Sequence, residues 1–207
     1  MSTSLRRYTE LPFAIDLLRT NEVALVSPNT WDDRNDAYYI DQYARAKSVP
    51  VTYALCLAEA QETYHHWKVF SSGSGGVCVV FKKDALLCAA RKIPEVQAKS
   101  VKYKTISQLK SVRPVEEDLP FLKRYAFRDE REFRLFVGSI TDVGPTYRIR
   151  ISHSVIDRIV LSPWLPKSVV SHVRKTLRTI PGCSRLRVTR STLVENEQWK
   201  RYAAYST

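Results

Sequence analysis

The run GGVCVVF, residues 75–81, constrains this chain more than any other segment. It is almost continuously apolar, and strands of that kind lie buried on both faces, so the sheet that holds it needs helices flanking it. Other segments supply that sheet and those helices. LRRY, EVALVS, VTYALCLA, EREFRLFV, TYRIRI, IDRIVLS and SRLRVTR read as short strands, with one more at 96–104. Helices are predicted from Pro12 to Thr20, through AYYIDQYARAK, in ETYHHWKVF, over 83–91 and 115–126, and from Pro166 to Ile180. The stripes fit: Leu11, Ile15 and Leu18 in the first helix, and Val169, Val173, Leu177 and Ile180 in the last. Residues 1–207 therefore read as a single α+β domain of short mixed strands with flanking helices.

Composition narrows the class. With 207 residues, 44% hydrophobic and 11% aromatic, the chain belongs with folded globular proteins. No apolar run reaches the length of a membrane span, and MSTSLRRYTELPF lacks the apolar core of a signal peptide. The cysteines, Cys56, Cys78, Cys88 and Cys183, show no C-x-x-C spacing. Cys56 and Cys78 sit in apolar runs and read as buried free thiols of a cytoplasmic protein, not as a zinc site or disulfide framework.

Charge is uneven. From Pro145 onward there are twelve basic residues and three acidic ones, so nine of the twelve net positive charges fall in residues 145–207. Such a field attracts polyanions, DNA or RNA among them. Arg148 and Arg150 share one strand face, Lys167, Arg174 and Arg178 one helix stripe, and Arg185 and Arg187 another strand face. These seven are the candidate nucleic-acid contacts.

FRDEREFRLFV, residues 127–137, carries the candidate chemistry. On a strand, Phe133, Leu135 and Val137 point one way, and Glu130, Glu132 and Arg134 the other. On spacing alone the charged row reads as a cross-strand salt-bridge face. The alternative is the floor of a site, with a carboxylate beside an arginine held ionised to stabilise a cation or accept a proton.

Two further segments bear on the choice. In SPNTWDDRND, Trp31 is a core or pocket aromatic, Asp32 or Asp33 caps the next helix, and Asp36 falls one turn later. In ETYHHWKVFSSGSGGVCVVF, His65 and His66 point about 100° apart on a helix and cannot chelate one metal together. SSGSGG leads from helix into strand, the reverse of a phosphate-binding loop, so it is a turn at a site rim.

In this order the motifs resemble an uncharacterised prokaryotic family, domain of unknown function 2971. The matching residues are Arg7 and Tyr8, then Ser27, Pro28, Trp31, Asp32, Asp33 and Asp36. Cys56, Trp67, Gly76 and Phe81 follow, then Glu130, Glu132 and Arg134, over roughly residues 5–165. Arg34 and His66 depart from it, standing where that family usually has proline and methionine. A weaker resemblance, REFRLFV to a late strand and Glu130–Glu132 to an E-x-E spacing, is to ADP-ribosyltransferase-like folds. It implies a split sheet and NAD or a related nucleotide as substrate. No metal is expected, because no other His or Cys stands at metal-ligand spacing from His65 or His66.

That resemblance implies Glu132 as the catalytic carboxylate with Glu130 beside it. It also implies a nucleotide, with Arg7 or Arg34 as candidates for the diphosphate, Tyr39 or Trp67 for stacking on nicotinamide or adenine, and Tyr8, Trp31 and Arg134 beside them. The acceptor it implies is a nucleic acid or a protein, in a setting such as phage–host conflict or a toxin system. A non-catalytic basic module that binds nucleic-acid phosphates stays open beside it.

Overall fold

The structure is a computed structural model that describes residues 3–71, 73–141 and 144–203. Ser72 of the glycine-rich turn lies outside the described residues. The first elements are β1 (Ser4–Glu10), α1 (Leu11–Thr20), β2 (Glu22–Val26), α2 (Arg34–Ala46), β3 (Val51–Ala58) and α3 (Tyr64–Phe70). β4 (Gly76–Lys82), α4 (Lys83–Ala90), β5 (Val96–Ser100), β6 (Lys102–Lys104), α5 (Ile106–Ser111) and β7 (Leu122–Arg124) follow. The chain closes with β8 (Glu132–Ser139), β9 (Thr146–Arg150), β10 (Ile156–Leu161), α6 (Lys167–Thr179), β11 (Val188–Arg190) and α7 (Glu197–Ala203). No helix among the described residues is long and apolar enough to cross a membrane.

The main sheet is mixed and divided. β3 pairs with β8 along its length, from Val51 opposite Ser139 to Ala58 opposite Glu132. Its other edge is shared by two strands: β2 meets it with Val26 opposite Ala54, and β1 with Arg6 opposite Ala58. β1 and β2 therefore part from a common edge. One half runs β11-β10-β4-β1, the other β5-β8-β3-β2-β9, and a cleft opens at their junction. β6 and β7 form a separate parallel pair.

The period-two pattern sorts the two faces. Val77, Val79 and Phe81 of β4 join Leu55 and Leu57 of β3 and Phe133, Leu135 and Val137 of β8 in the main core under α1, α4 and α6. Cys78 and Val80 point the other way and pack on Trp67 of α3. The GGVCVVF strand is thus buried on both faces, as its sequence requires. On that second face a separate cluster of Ile40, Tyr43, Ala54, Phe121 and Phe136 sits beneath α2. Between the two smaller clusters the same face turns polar: Arg6 on β1, Cys56 on β3, and Glu132 and Arg134 on β8.

Local chemistry explains where the elements begin and end. Pro12 occupies the first turn of α1, and Asn21 ends that helix in the left-handed region at φ 57°. Asp33, not Asp32, caps α2, accepting from the N–H groups of Asn35 (3.1 Å) and Asp36 (3.3 Å).

Several expectations fail for identifiable reasons. Residues 115–126 form no α-helix. Pro120 has no N–H to continue one, and the chain instead forms two six-residue 3₁₀ segments, Glu116–Phe121 and Tyr125–Glu130, on either side of the short strand β7. The strand at 96–104 breaks at Val101, whose N–H turns to the Glu132 carbonyl (2.8 Å). α5 and α7 are helices that periodicity does not predict. In α6 the inward residue is Val170 in place of Val169, and only Val188–Arg190 of SRLRVTR pairs in the sheet.

Candidate functional site

The charged row of β8 is neither solvated nor a single row. Glu132 and Arg134 point from the strand onto the face between the two small apolar clusters, and both are buried. Glu130 lies before the strand, in the 3₁₀ turn Tyr125–Glu130, and reaches the same place because Arg131 turns the chain at φ 45°. The groups do pair as salt bridges, but in a buried cluster and not as a half-exposed cross-strand row. Alternation predicts direction, and the helix laid over that face decides burial.

Arg134 is fully enclosed. Its Nη1 and Nη2 donate to Asp36 Oδ1 (2.9 Å) and Oδ2 (2.7 Å), its Nε to Glu132 Oε1 (2.7 Å), and Nη1 also to the Pro120 carbonyl (2.7 Å). The indole of Trp31 covers the guanidinium, 4.8 Å from ring centroid to Cζ. Lys123 is the second cation, with Nζ 2.6 Å from Glu130 Oε2, 3.5 Å from Glu132 Oε2 and 3.8 Å from Asp36 Oδ2. Backbone contacts fix Glu132 further. Its N–H donates to Tyr103 Oη (2.8 Å), and its carbonyl accepts from Val101.

Three carboxylates thus share two cations in a buried cluster, and their proton affinities separate. Burial alone would push Glu132 up. The charge and hydrogen bond of Arg134, with Lys123, outweigh it and hold the group at about 2. Burial raises Glu130 above the ordinary carboxylate range, with Lys123 pulling the other way. Lys123 and Arg134 both lose by desolvation and gain more from the carboxylates, Glu132 first, so both stay charged.

A cleft of about 440 Å³ opens over this cluster. Arg6, Tyr8 and His66 form one wall, and Trp31, Asp32 and Asp33 a second. Cys56, Leu57 and Ala58 lie along the floor, and Lys123, Phe127, Glu130 and Glu132 stand opposite. His66 stacks on Tyr8 with ring centroids 5.3 Å apart. Its Nε2–H donates to the Glu130 carbonyl (3.0 Å), and its Nδ1 pairs with the Thr63 hydroxyl. Burial lowers its proton affinity, so the ring is neutral at pH 7. Arg6 donates Nη1 to the Ala60 carbonyl (2.8 Å) and Nη2 to Gln61 Oε1 (2.9 Å), with its Nε–H outside those bonds.

Of the other sequence candidates, Tyr8 and Trp31 reach the cleft. Arg7 does not line it: it shares its strand face with the core residue Leu5, opposite Arg6. Arg34 is exposed on the first turn of α2, away from the cleft wall. Tyr39 lines a separate small cavity behind Asp36 and Lys123. Trp67 is core, fully buried with its Nε1–H donating to Glu62 Oε1 (2.6 Å). Cys78 is buried as expected. Cys56 is not: it opens onto the cleft floor beside Glu132.

The basic candidates do not form one face. Arg148 and Arg150 lie on β9, at the opposite end of the strand order from β11. Arg148 pairs with Asp16 (3.0 Å) and Glu22 (3.7 Å), and Lys167 with Glu195 (2.9 Å). Arg174 and Arg178 donate Nε to the carbonyls of Val188 (3.0 Å) and Leu186 (3.1 Å). Arg150, Arg185 and Arg187 are exposed without a carboxylate partner among the described residues.

No family model matches the chain and no curated protein does, so the likeness to domain of unknown function 2971 rests on motif order alone. Among solved structures the chain is similar to Thermus sp. 2.9 DarT in complex with ADP-ribosylated ssDNA. The TM-score is 0.48 at 12% identity, over 92% of this chain and 94% of that one. The same protein in complex with NAD+ gives a TM-score of 0.42 at 14% identity, over 92% and 96%.

Sequence reasoning missed Arg6, Lys123, Phe127 and the exposure of Cys56. Strand parity held the signal for Arg6, because alternate residues of β1 share a face: Tyr8 goes with Arg6, so Arg7 and Tyr8 cannot line one wall together. For Lys123 no local signal existed. It arrives on a three-residue strand inside a segment that reads as helix.

Proposed function

We propose that the chain is an ADP-ribosyltransferase-like enzyme that takes NAD or a related dinucleotide into the cleft between the half-sheets. The observation that carries this reading is the pair Glu132 and Glu130. Both carboxylates stand on one cleft wall around a single lysine, one held near 2 and the other raised. Two carboxylates whose environments drive them apart divide the work of such a reaction.

Glu132, ionised and fixed, stabilises the positive charge that grows on the ribose as its bond to nicotinamide breaks. Glu130, with the higher affinity, takes the proton of the attacking acceptor group. The lining suits the substrate. A cleft of about 440 Å³ is within the size of nucleotide and cofactor sites. Arg6 offers a guanidinium for the diphosphate in place of Arg7 and Arg34. Tyr8, Trp31 and Phe127 offer rings against which a base or nicotinamide lies.

The acceptor is a nucleic acid or a protein, with the exposed Arg150, Arg185 and Arg187 drawing a polyanion toward the molecule. The test is incubation of the protein and its Glu132→Gln variant with labelled NAD, alone and with single-stranded DNA, tRNA or a cell extract. Transfer of label or release of nicotinamide by the unaltered protein, and not by the variant, supports the reading and names the acceptor class. Consumption of NAD in none of the mixtures overturns it.

A second reading rests on those same three arginines: a non-catalytic module that binds nucleic-acid phosphates. It requires affinity for single-stranded DNA to fall steeply with salt and to be indifferent to Glu132→Gln.

A further inference from the structure

A second, larger hollow lies outside the cleft. It has a volume of about 530 Å³ and runs between α5, β6 and the 3₁₀ turn that begins at Glu116. Its apolar wall is aliphatic: Leu109, Val112, Val115 and Leu122, with Pro114 at one end. Val112 and Val115 are 74% and 60% exposed, a concentration of bare β-branched side chains that a solvated surface does not need. Its charged rim is unbalanced. Lys102 is neutralised by Asp118 (3.1 Å), while Lys104 and Arg113 have no carboxylate partner among the described residues.

We propose that this groove is a docking site for an acidic, aliphatic peptide segment of a partner protein. Two unpaired cations beside an aliphatic floor complement carboxylates interspersed with leucine, isoleucine or valine side chains. The lining contains no aromatic ring, so it lacks the stacking surface that proteins use to hold single-stranded nucleic acid. Seven of the lining residues, from Ser107 to Arg113 with Lys104, lie on or beside the single short helix α5, so the groove is a compact recognition surface. It also adjoins the proposed active site through β7, which turns Leu122 toward the groove and Lys123 toward the cleft. The proposal does not depend on the NAD reading.

The test is panning of a displayed random peptide library on the whole protein, with counter-selection on a Lys104→Glu, Arg113→Glu variant whose melting is shown to be unchanged. The expected peptides carry aspartate or glutamate among aliphatic residues. A synthetic copy should bind the unaltered protein and lose at least tenfold in affinity for the double variant and for Val112→Asp. Failure to enrich any peptide, enrichment of peptides without acidic residues, or equal binding to the variants overturns the proposal. So does loss of single-stranded oligonucleotide binding in the double variant with peptide binding unmoved, which would assign the groove to nucleic acid.

Discussion

Arg134 on β8 holds Asp36 on α2 in a two-pronged bond, 2.9 Å and 2.7 Å, across 98 residues of sequence. That bond clamps the helix carrying the Trp31–Asp36 loop to the strand carrying Glu132, so the cleft's two sides are fixed by one guanidinium. Fork-on-fork pairing of this kind adds geometric precision as well as charge neutralisation.

Arg134→Met should therefore cost stability out of proportion to its size. It leaves Asp36 and Glu132 buried without their main cation, a type of loss worth about 3–5 kcal/mol. Arg134→Lys keeps the charge and loses the fork, so it should rescue only part. Urea unfolding measures both, and a loss under about 1 kcal/mol for the Met variant contradicts the clamp.

Stability should respond to acid through Glu132. Its folded value of about 2 lies below the ordinary 4.5, so its contribution is complete above about 4.5 and disappears as pH falls toward 2. The difference corresponds to about 3 kcal/mol at most. Glu130 is raised and acts in the opposite sense, favouring the folded state as it takes up its proton. The clean readout is the difference in unfolding free energy between the unaltered protein and Glu132→Gln, measured from pH 7 to pH 2.5. It should shrink through the acid range, and a difference independent of pH would show that Glu132 is not held ionised.

Thiol labelling should distinguish the four cysteines. Cys56 and Cys88 are accessible, whereas Cys78 and Cys183 are buried. Although it opens to the cleft, Cys56 sits on a floor that strips water from its sulfur. This desolvation, followed by the Glu132 charge, pushes the thiol well up, so it should react slowly at pH 7 and faster at high pH. Saturating NAD should protect Cys56 and leave Cys88 unchanged, as mass spectrometry of the labelled peptides would show. Equal protection of both, or of neither, removes Cys56 from the nucleotide site.

Arg6 and Arg7 separate by their sides of the strand. Arg6→Lys should weaken NAD binding about tenfold or more by calorimetry, since a lysine cannot reproduce the fork. Arg7→Lys should leave it within about twofold, and the reverse order would restore Arg7 to the site.

Much of the fold was legible in the sequence, and the reason is periodicity. The alternation in EREFRLFV and the unbroken apolar run in GGVCVVF fix which side chains enter the main core, whatever lies around them. The capping aspartate before α2 was legible too, within one residue. What was hidden depends on contacts distant in sequence. On spacing alone Glu132 and Arg134 read as a cross-strand salt-bridge face, because nothing in FRDEREFRLFV announces that Asp36 and a helix will cover them. Lys123 was invisible because Pro120 replaces the helix that its neighbours suggest. Trp67 and Trp31 look alike in sequence, yet one fills a core cluster and the other shields a guanidinium at the cleft. Arg148 and Arg150 do alternate with the buried Ile149 on β9, but Arg185 and Arg187 lie before β11 and not on a strand. The partners of the paired residues, Asp16, Glu22, Glu195 and two carbonyls, come from elsewhere in the chain.

The most direct test is a paired measurement on Glu132→Gln: NAD affinity by calorimetry and nicotinamide release by a discontinuous assay. Glutamine keeps an oxygen for Arg134 Nε and leaves two carboxylates facing two cations, so the cluster stays balanced. The expected result is affinity within about threefold and nicotinamide release lowered by about a hundredfold or more, the scale of losing one electrostatic group at a reacting centre. An unaltered protein that neither binds nor consumes NAD, or a variant that releases nicotinamide at the original rate, contradicts the catalytic role of Glu132.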